Sequence, residues 1–203
     1  MAKFSEELSK KRREEILNAA KKIYDVKPFK EITLKDIGEG TSFTRTSIYN
    51  YFSGKEEIYL SVLESEFSDW ADDIDAIDGS TDFSAALSDT LQSRSRMLKI
   101  MSMNLYEVEV GSSTEHLVEF KIAYGRALNS LRSALKRAFP DSSDEWAEEF
   151  VYAFLPFLFG VYPYTEVTEK QIVAMQRAGV DCPEFSAPQL AENLIDKLLA
   201  SGR

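Results

Sequence analysis

Residues 33–55 read TLKDIGEGTSFTRTSIYNYFSGK, and this stretch decides the fold. It predicts two short helices, over 34–39 and 45–51, each preceded by a threonine that can cap it. Ahead of them, apolar residues recur at steps of three and four between residues 5 and 24, which predicts one longer amphipathic helix. Two short helices joined by a tight connection and supported by a longer one form a helix-turn-helix.

The second short helix has two chemically different sides. At roughly 100° per residue, its apolar side is expected to face the core and holds Ile48, Tyr51 and Phe52. The opposite side is polar and is made by Thr46, Tyr49 and Asn50, with Arg45 on the flank. Compact hydrogen-bonding groups of this kind suit a helix that reads base edges in the major groove, because no large apolar surface opposes entry.

At this point the sequence resembles the TetR family of bacterial transcriptional regulators. The likeness runs from Ile37 through Lys55 and is most specific over residues 44–52, TRTSIYNYF, followed by SGKE. The resemblance implies an all-α fold with an N-terminal three-helix helix-turn-helix domain, residues 1–55. It also implies a larger helical domain for ligand binding and dimerisation, residues 56–203.

The resemblance also implies roles for individual residues. Phosphate contacts are expected from Thr33, Thr44, Tyr49 and Lys55. Arg45 and Thr46 stand where family members contact bases. Asn50 is expected to face the groove, where it could contact either the DNA backbone or a base. Taken singly, Tyr49 could equally be a packing residue and Lys55 an ordinary surface lysine, but their joint spacing favours DNA contact.

The turn between the two short helices departs from the family pattern. Thr41 and Ser42 stand where a small residue and a glycine are usual. If the turn needs a positive φ at the second position, we expect Ser42 to be mildly strained.

The charge is divided unevenly along the chain. Its net charge is −10, which by itself argues against nucleic acid. However, residues 1–55 carry 12 Lys/Arg and 8 Asp/Glu, whereas the remainder carries 12 and 26. A basic first part and an acidic body would let only the first part approach double-stranded DNA, although an ordinary solvated surface gives a similar balance by chance.

The rest of the chain is also predicted to be helical. The expected helices cover 55–77, 82–95, 96–109, 117–139, 145–162 and 187–199. The helix over 145–162 is apolar on nearly all sides, so we expect it to be buried on all sides, partly against a second copy. Together with the last helix it predicts a homodimer through a four-helix bundle, with 117–139 as the alternative face. Pro156 is expected to bend the 145–162 helix.

The body is rich in aromatic residues and methionine. Such side chains suit a pocket for a small hydrophobic ligand, although a plain helical core has the same composition. The family places its ligand between the long helix after the DNA-binding domain and the helices of the body. On that basis the candidate pocket residues are Trp70, Met101, Tyr106, Tyr124 and Phe154.

Catalytic, metal and cofactor sites are not expected. The only histidine, His116, has no second histidine or cysteine at ligand spacing and is expected at a helix surface. No phosphate-binding glycine motif and no nucleophile elbow are present, so the chain is not expected to be an enzyme.

A cytoplasmic protein without a membrane partner is expected. No run of eighteen uncharged apolar residues is present, and the N-terminus interleaves basic residues with glutamates instead of leading into an apolar run. The single cysteine, Cys182, cannot form an internal disulfide, which is consistent with a reducing compartment.

Three functions remain open on the sequence alone. The leading one is a DNA-binding repressor that a small hydrophobic ligand releases from a palindromic operator. The second is a helical ligand carrier or protein-interaction module whose motif no longer reads DNA. The third, a small all-helical enzyme, requires a polar cluster inside the body, where the sequence places mainly apolar residues.

Overall fold

The computed structural model describes residues 2–79 and 82–201, and the regular structure within them is entirely helical, as predicted. A short 3₁₀ turn, Phe29–Glu31, follows the first helix. The α-helices are α1 Ala2–Val26, α2 Leu34–Glu39, α3 Arg45–Ile48, α4 Lys55–Asp75, α5 Phe83–Asp89, α6 Ser95–Met103, α7 Leu105–Val110, α8 Thr114–Ala138, α9 Asp144–Thr165, α10 Glu169–Ala178 and α11 Ala187–Ser201.

The chain divides into two compact units. The first comprises Met1–Phe67 and Asn104–Tyr124, and the second comprises Ser68–Met103 and Gly125–Arg203. The helix-turn-helix segment therefore shares a unit with α7 and the first turns of α8.

An aromatic cluster forms part of the core of the first unit. The Tyr59 ring lies 5.1 Å from that of Tyr24 and 5.3 Å from that of Phe29, measured between centroids. The Tyr59 hydroxyl donates a hydrogen bond to the carbonyl of Ala20 at 3.0 Å. These contacts join α1, the 3₁₀ turn and α4, and so support the two short helices between them.

The second unit is built around α9. Helix α6 packs on α9, and α11 packs on both α5 and α9. A series of ring contacts runs from Phe83 through Phe150 to Phe154, with centroid separations of 6.2 and 5.8 Å. One side of α9 is thus buried within its own chain, whereas Tyr152 and Pro156 on its other side are exposed, so the expected burial on all sides is not reached within one chain.

The helix predicted over 96–109 is two helices, α6 and α7, with a break at Asn104. The Asn104 backbone leaves the helical region, with φ −137° and ψ −1°. Its side-chain oxygen accepts a hydrogen bond from the Tyr24 hydroxyl at 2.6 Å. An asparagine engaged in this way competes with helix continuation, which explains the break.

Helix α9 is longer than predicted and continues through Pro156 and Pro163. Both prolines lie on the exposed side of the helix, where water can hydrogen-bond the carbonyls that they leave without a helical donor. His116 lies on α8 as expected, but it is half-buried, with 20% of its side chain exposed.

Sequence reasoning missed helix α10. Thr168 and Gln171 form a capping box at its start, and Gly179 ends it in the left-handed region at φ 67°. None of its residues is buried.

Across the described residues, every helix is too short or too polar to cross a lipid bilayer.

Candidate nucleic-acid interface

Helix α3 is a short helix that buried residues anchor to the core. Its helical residues are Arg45–Ile48, and hydrogen bonds from the amides of Tyr51 and Phe52 to the Ile48 carbonyl, at 2.9 and 3.0 Å, carry the turn onward. The segment contains β-branched and hydroxyl residues, which are weak helix formers. Ile48 is 0% exposed and Phe52 is 1% exposed, so the segment is anchored from below.

The two sides of α3 are divided as predicted. Thr46, Tyr49 and Asn50 are exposed, with Tyr49 at 50%, while Tyr51 is half-buried beside the buried anchors. Arg45 is the first residue of the helix, but its side chain lies outside the described residues. The exposed side therefore presents a hydroxyl, a phenol and a carboxamide next to one another.

Thr44 precedes α3, but its side chain does not cap the helix. The hydroxyl lies 3.2 Å from that of Ser47, and only the Thr44 carbonyl takes part in the helix, accepting from the Ser47 amide at 2.8 Å. The expected side-chain cap was therefore wrong. The Thr44 side chain is exposed on the edge of the polar face.

Thr33 caps α2 as predicted. Its hydroxyl accepts from the amide of Asp36 at 3.2 Å, and the Asp36 carboxylate accepts from the Thr33 amide at 2.8 Å. Lys27 also donates to this carboxylate at 2.9 Å. The Lys27 ammonium, followed by the Thr33 hydroxyl and amide, lowers the pKa of Asp36 from 3.8 to about 2. The start of α2 is thus held by a charged capping box.

The Lys55 ammonium lies at the end of the 3₁₀ turn. It donates to the carbonyl of Phe29 at 2.7 Å and to that of Ile32 at 3.1 Å, and it lies 4.4 Å from the centroid of the Phe29 ring. These contacts join the start of α4 to the segment before α2. Sequence reasoning did not find them, because the partners are 26 and 23 positions away and are backbone atoms.

The turn between α2 and α3 is unstrained. None of the described non-glycine residues has a positive φ, so the expected strain at Ser42 was wrong. Ser42 is held by Glu15 of α1, whose carboxylate accepts from both its amide and its hydroxyl. Gly40 is needed for a different reason: a Cβ there would lie 2.9 Å from the Cβ of Ala19.

The five candidate pocket residues are divided between the two compact units. Trp70, Met101 and Phe154 are buried in the second unit, whereas Tyr124 is half-buried and Tyr106 is 79% exposed in the first. The Trp70 indole donates to the Thr90 hydroxyl at 2.9 Å. The second unit has a mainly apolar pocket of about 600 Å³, and none of the five residues lines it. Its lining includes Tyr164, Val167, Met175, Cys182, Phe185 and Leu190.

Among the described residues, no three histidine, cysteine, aspartate or glutamate side chains are grouped so as to hold a metal ion.

Comparison with known proteins places both parts of the chain. Residues 16–62 match the family model described as bacterial regulatory proteins, tetR family, and residues 60–200 match that described as tetracyclin repressor-like, C-terminal domain. The HTH-type transcriptional regulator YfiR of Bacillus subtilis (strain 168) is 40% identical over 63 residues, a match that spans 31% of each protein.

Solved structures share the fold at low identity. The fatty acid degradation regulator FadR from Bacillus halodurans has a TM-score of 0.61 at 15% identity, over 93% of this chain and 94% of that one. A transcriptional regulator of the TetR/AcrR family from Thermobifida fusca has 0.60 at 17%, over 95% and 99%. Because the two family models together cover residues 16–200, the chain belongs to the TetR family of helix-turn-helix transcriptional regulators.

Proposed function

We propose that this regulator is a repressor that binds a palindromic operator as a homodimer and is released from it by a small hydrophobic ligand. The observation that carries the DNA-binding part is the two-sided α3. Its anchor residues Ile48 and Phe52 are buried, while Thr46, Tyr49 and Asn50 remain accessible to a base edge or a phosphate. A short helix that is buried on one side and exposes short polar groups on the other suits the major groove.

Individual contacts follow from this geometry. Arg45 and Thr46, at the start of α3, would read bases, and Asn50 would serve base or backbone. Phosphate contacts would come from Thr33, Thr44 and Tyr49. Lys55 has given two of its three N–H donors to carbonyls, so it would reach a phosphate only with the third or by exchange.

In this proposal residues 1–55 bind DNA, and residues 56–203 bind the ligand and the second copy. The excess of basic residues in 1–55 supports the division, because the acidic remainder is repelled by phosphates.

Helix α9 is the proposed dimer face, together with α11. From Tyr152 onward the side of α9 turned away from its own core is free of charge, and its exposed residues are Tyr152, Ala153, Pro156, Gly160, Pro163 and Tyr164, whereas the first turns of the helix expose Asp144, Glu145 and Glu149. In contrast, the second half of α8 exposes mainly polar and charged residues, among them Arg126, Asn129 and Lys136. An apolar, small-residue face suits a self-complementary two-fold contact better than a charged one.

Release would follow from a shift between two dimer states. Two reading helices must reach successive major grooves about 34–36 Å apart. A ligand that binds better to a dimer with another separation lowers the population that fits the operator. Trp70, Met101, Tyr106, Tyr124 and Phe154 remain the residues proposed to bind the ligand, and Tyr106 is the most exposed of the five.

The experiment that tests the proposal is the selection of bound duplexes from a random pool with the full chain. We expect a palindromic sequence whose binding weakens steeply as salt rises, because phosphate contacts release counterions. If no sequence is enriched, or binding is insensitive to salt, the alternative of a ligand carrier or protein-interaction module takes its place.

Release is tested separately with the selected duplex. Hydrophobic small molecules are added at fixed salt, and the operator affinity is measured. At least one class is expected to weaken binding. If none does, the repressor would not be ligand-released, while DNA binding would stand.

A further inference from the structure

Glu57, on the first turn of α4, is a buried carboxylate that the DNA contacts do not use. It is only 4% exposed. One oxygen accepts from the amide of Ser53 at 2.6 Å, and the other accepts from the amide of Ser113 at 3.2 Å. Ser53 directly follows residues 45–52, which contain α3 and are called the reading segment below. Ser113 directly precedes α8. One side chain thus ties the end of the reading segment to the start of a helix that is 56 positions away.

The charge of Glu57 is maintained in this buried position. Burial alone raises the pKa of Glu57, but the hydrogen bonds from Ser53 and Ser113 outweigh this, and the pKa lies below its ordinary value. The carboxylate therefore accepts from both amides at neutral pH.

His116 adds a second connection between the same two segments. Its ring lies 5.6 Å from the Phe52 ring, between centroids, and is inclined to it by 37°. Its Nδ1 lies 2.9 Å from the Ser113 hydroxyl and 3.5 Å from a Glu57 oxygen. Phe52 is also the anchor whose amide closes the last turn of the reading segment. His116 therefore touches both the anchor and the carboxylate that holds the residue after it.

Gly111 shows how closely the connection between α7 and α8 approaches α4. A Cβ at this position would lie 2.5 Å from Cγ and 2.9 Å from Cβ of Glu56. These atoms are near the backbone of α4 and cannot swing away as the end of a long side chain can. Any larger residue must push the connection away from α4.

A helix of four residues cannot fix its own direction, so the segments at its ends must do so. Ile48 anchors α3 to the core, whereas Glu57 and His116 hold the segment that follows α3. We propose that Glu57 and His116 are positioning residues for DNA reading, and that the α7–α8 connection is a second support of the reading helix. A displacement of this connection would turn the polar face of α3 without altering any residue that touches DNA. The inference rests on the proposed DNA-binding function.

The test uses the full chain, the duplex recovered by selection, and a scrambled duplex of equal length and composition. The ratio of the two affinities is measured at a temperature at which every variant is fully folded by circular dichroism. Glu57→Gln replaces one acceptor with a donor, and His116→Ala removes the ring and its hydrogen bond. His116→Phe keeps the ring against Phe52.

We expect Glu57→Gln and His116→Ala to lower the ratio by about tenfold, the effect of losing a buried hydrogen bond to a charged group. His116→Phe should fall between His116→Ala and the unaltered chain. Affinity for the scrambled duplex should stay level with that of the matched controls, because it depends on charge. Those controls are Glu115→Gln, with the same charge change on the exposed side of α8, and Val118→Ala, an exposed neighbour of His116.

A purely structural role would lower the melting temperature of these variants and leave the affinity ratio of the folded protein unchanged, and that result overturns the inference. Should Glu57→Gln fail to fold, Gly111→Ala replaces it, since it displaces the connection while keeping every polar group. An unchanged ratio in both Gly111→Ala and His116→Ala also overturns the inference. If the unaltered chain selects no duplex, the proposed function itself fails, and this inference falls with it.

Discussion

Two short helices of this protein are stabilised in opposite ways. Helix α3 has four residues and no side-chain cap, but its anchor Ile48 is completely buried. Helix α10 has ten residues, a capping box from Thr168 and a left-handed glycine at its end, but it buries none of its residues. Local signals are therefore neither sufficient nor necessary for a helix to be part of the folded core. Packing fixes where a helix points, whereas caps fix only where it begins and ends.

In the proposed function α3 reads bases, whereas α10 has no such role. A helix that reads bases must keep its polar groups within hydrogen-bonding distance of defined atoms, so it needs a fixed direction more than intrinsic stability. The packing below α3 and the contacts behind it provide that direction.

Replacing the anchor of α3 is expected to destabilise the protein far more than replacing an apolar residue of α10. Ile48→Ala removes a fully buried side chain and should lower the free energy of unfolding by about 2–5 kcal/mol. Ile172→Ala, at a half-buried position of α10, should cost less than about 1 kcal/mol. Urea denaturation of both variants measures the difference. Equal losses would show that α10 is packed as firmly as α3.

The exposed side of α3 should affect specificity and not stability. Thr46→Ala is expected to relax the preference for one base pair by about 1–3 kcal/mol, with the unfolding midpoint unchanged. Lys55→Ala should weaken all duplexes alike and flatten the salt dependence of binding. Because the Lys55 ammonium also holds two carbonyls, this variant should lower stability as well. Titration of single-base duplex variants distinguishes the two, and identical binding profiles would contradict the assignment.

The threonines that precede the short helices should differ in their contribution. Thr33→Ala removes the cap of α2 and is expected to cost about 1 kcal/mol of unfolding free energy. Thr44→Ala should be almost neutral, because this hydroxyl accepts from no backbone amide of α3 and contacts only the exposed edge of the helix at the Ser47 hydroxyl. Thr168→Ala should speed amide exchange in α10 without moving the global transition. A loss at Thr44 as large as that at Thr33 would contradict the described geometry.

The smallest expected effect is the loss of stability at low pH that follows from protonation of Asp36. The pKa of Asp36 in the folded protein is about 2, below its ordinary value of 3.8. Its contribution to stability is therefore fully present above about pH 4 and is lost as the pH falls toward 2. The capping box of α10 uses neutral Gln171 and should show no such dependence. The protection of the α2 amides against exchange, taken relative to their intrinsic rates at each pH, should fall from pH 5 to pH 2, and it should fall less in Asp36→Asn. The absence of any difference between the two would contradict the shifted pKa.

The reading helix could be predicted from the sequence because its information is local. The division of α3 into a buried and an exposed side follows from the periodicity of residues 45–52, and the structure has the same division. The Thr33 cap is likewise specified within four residues. Helix α10 also carries local signals, since Thr168 and Gln171 have the spacing of a capping box and Gly179 can end a helix. Sequence reasoning missed them because few apolar residues, among them Ile172 and Met175, follow the helical period between them.

Contacts between distant segments could not be predicted. Lys55 bonds to backbone carbonyls, whose positions depend on the turn at Phe29–Glu31, and no residue type indicates such a partner. Glu57 resembled one of many surface glutamates until folding placed Ser113 beside it. The exposure of Tyr106 could not be predicted either. Helix α7 is separated from α6 by Asn104, whose hydrogen-bond partner, Tyr24, is 80 positions away.

The separation of anchor and reader on α3 has a practical consequence. Since Ile48 and Phe52 point into the core while positions 46, 49 and 50 point outward, the outward positions can be randomised together at little cost to folding. A library confined to those three positions would then sample new binding sequences on an unchanged scaffold. In the proposed function, variants recovered from it would differ in the operator that they bind, while the residues proposed to bind the ligand and the second copy remained the same.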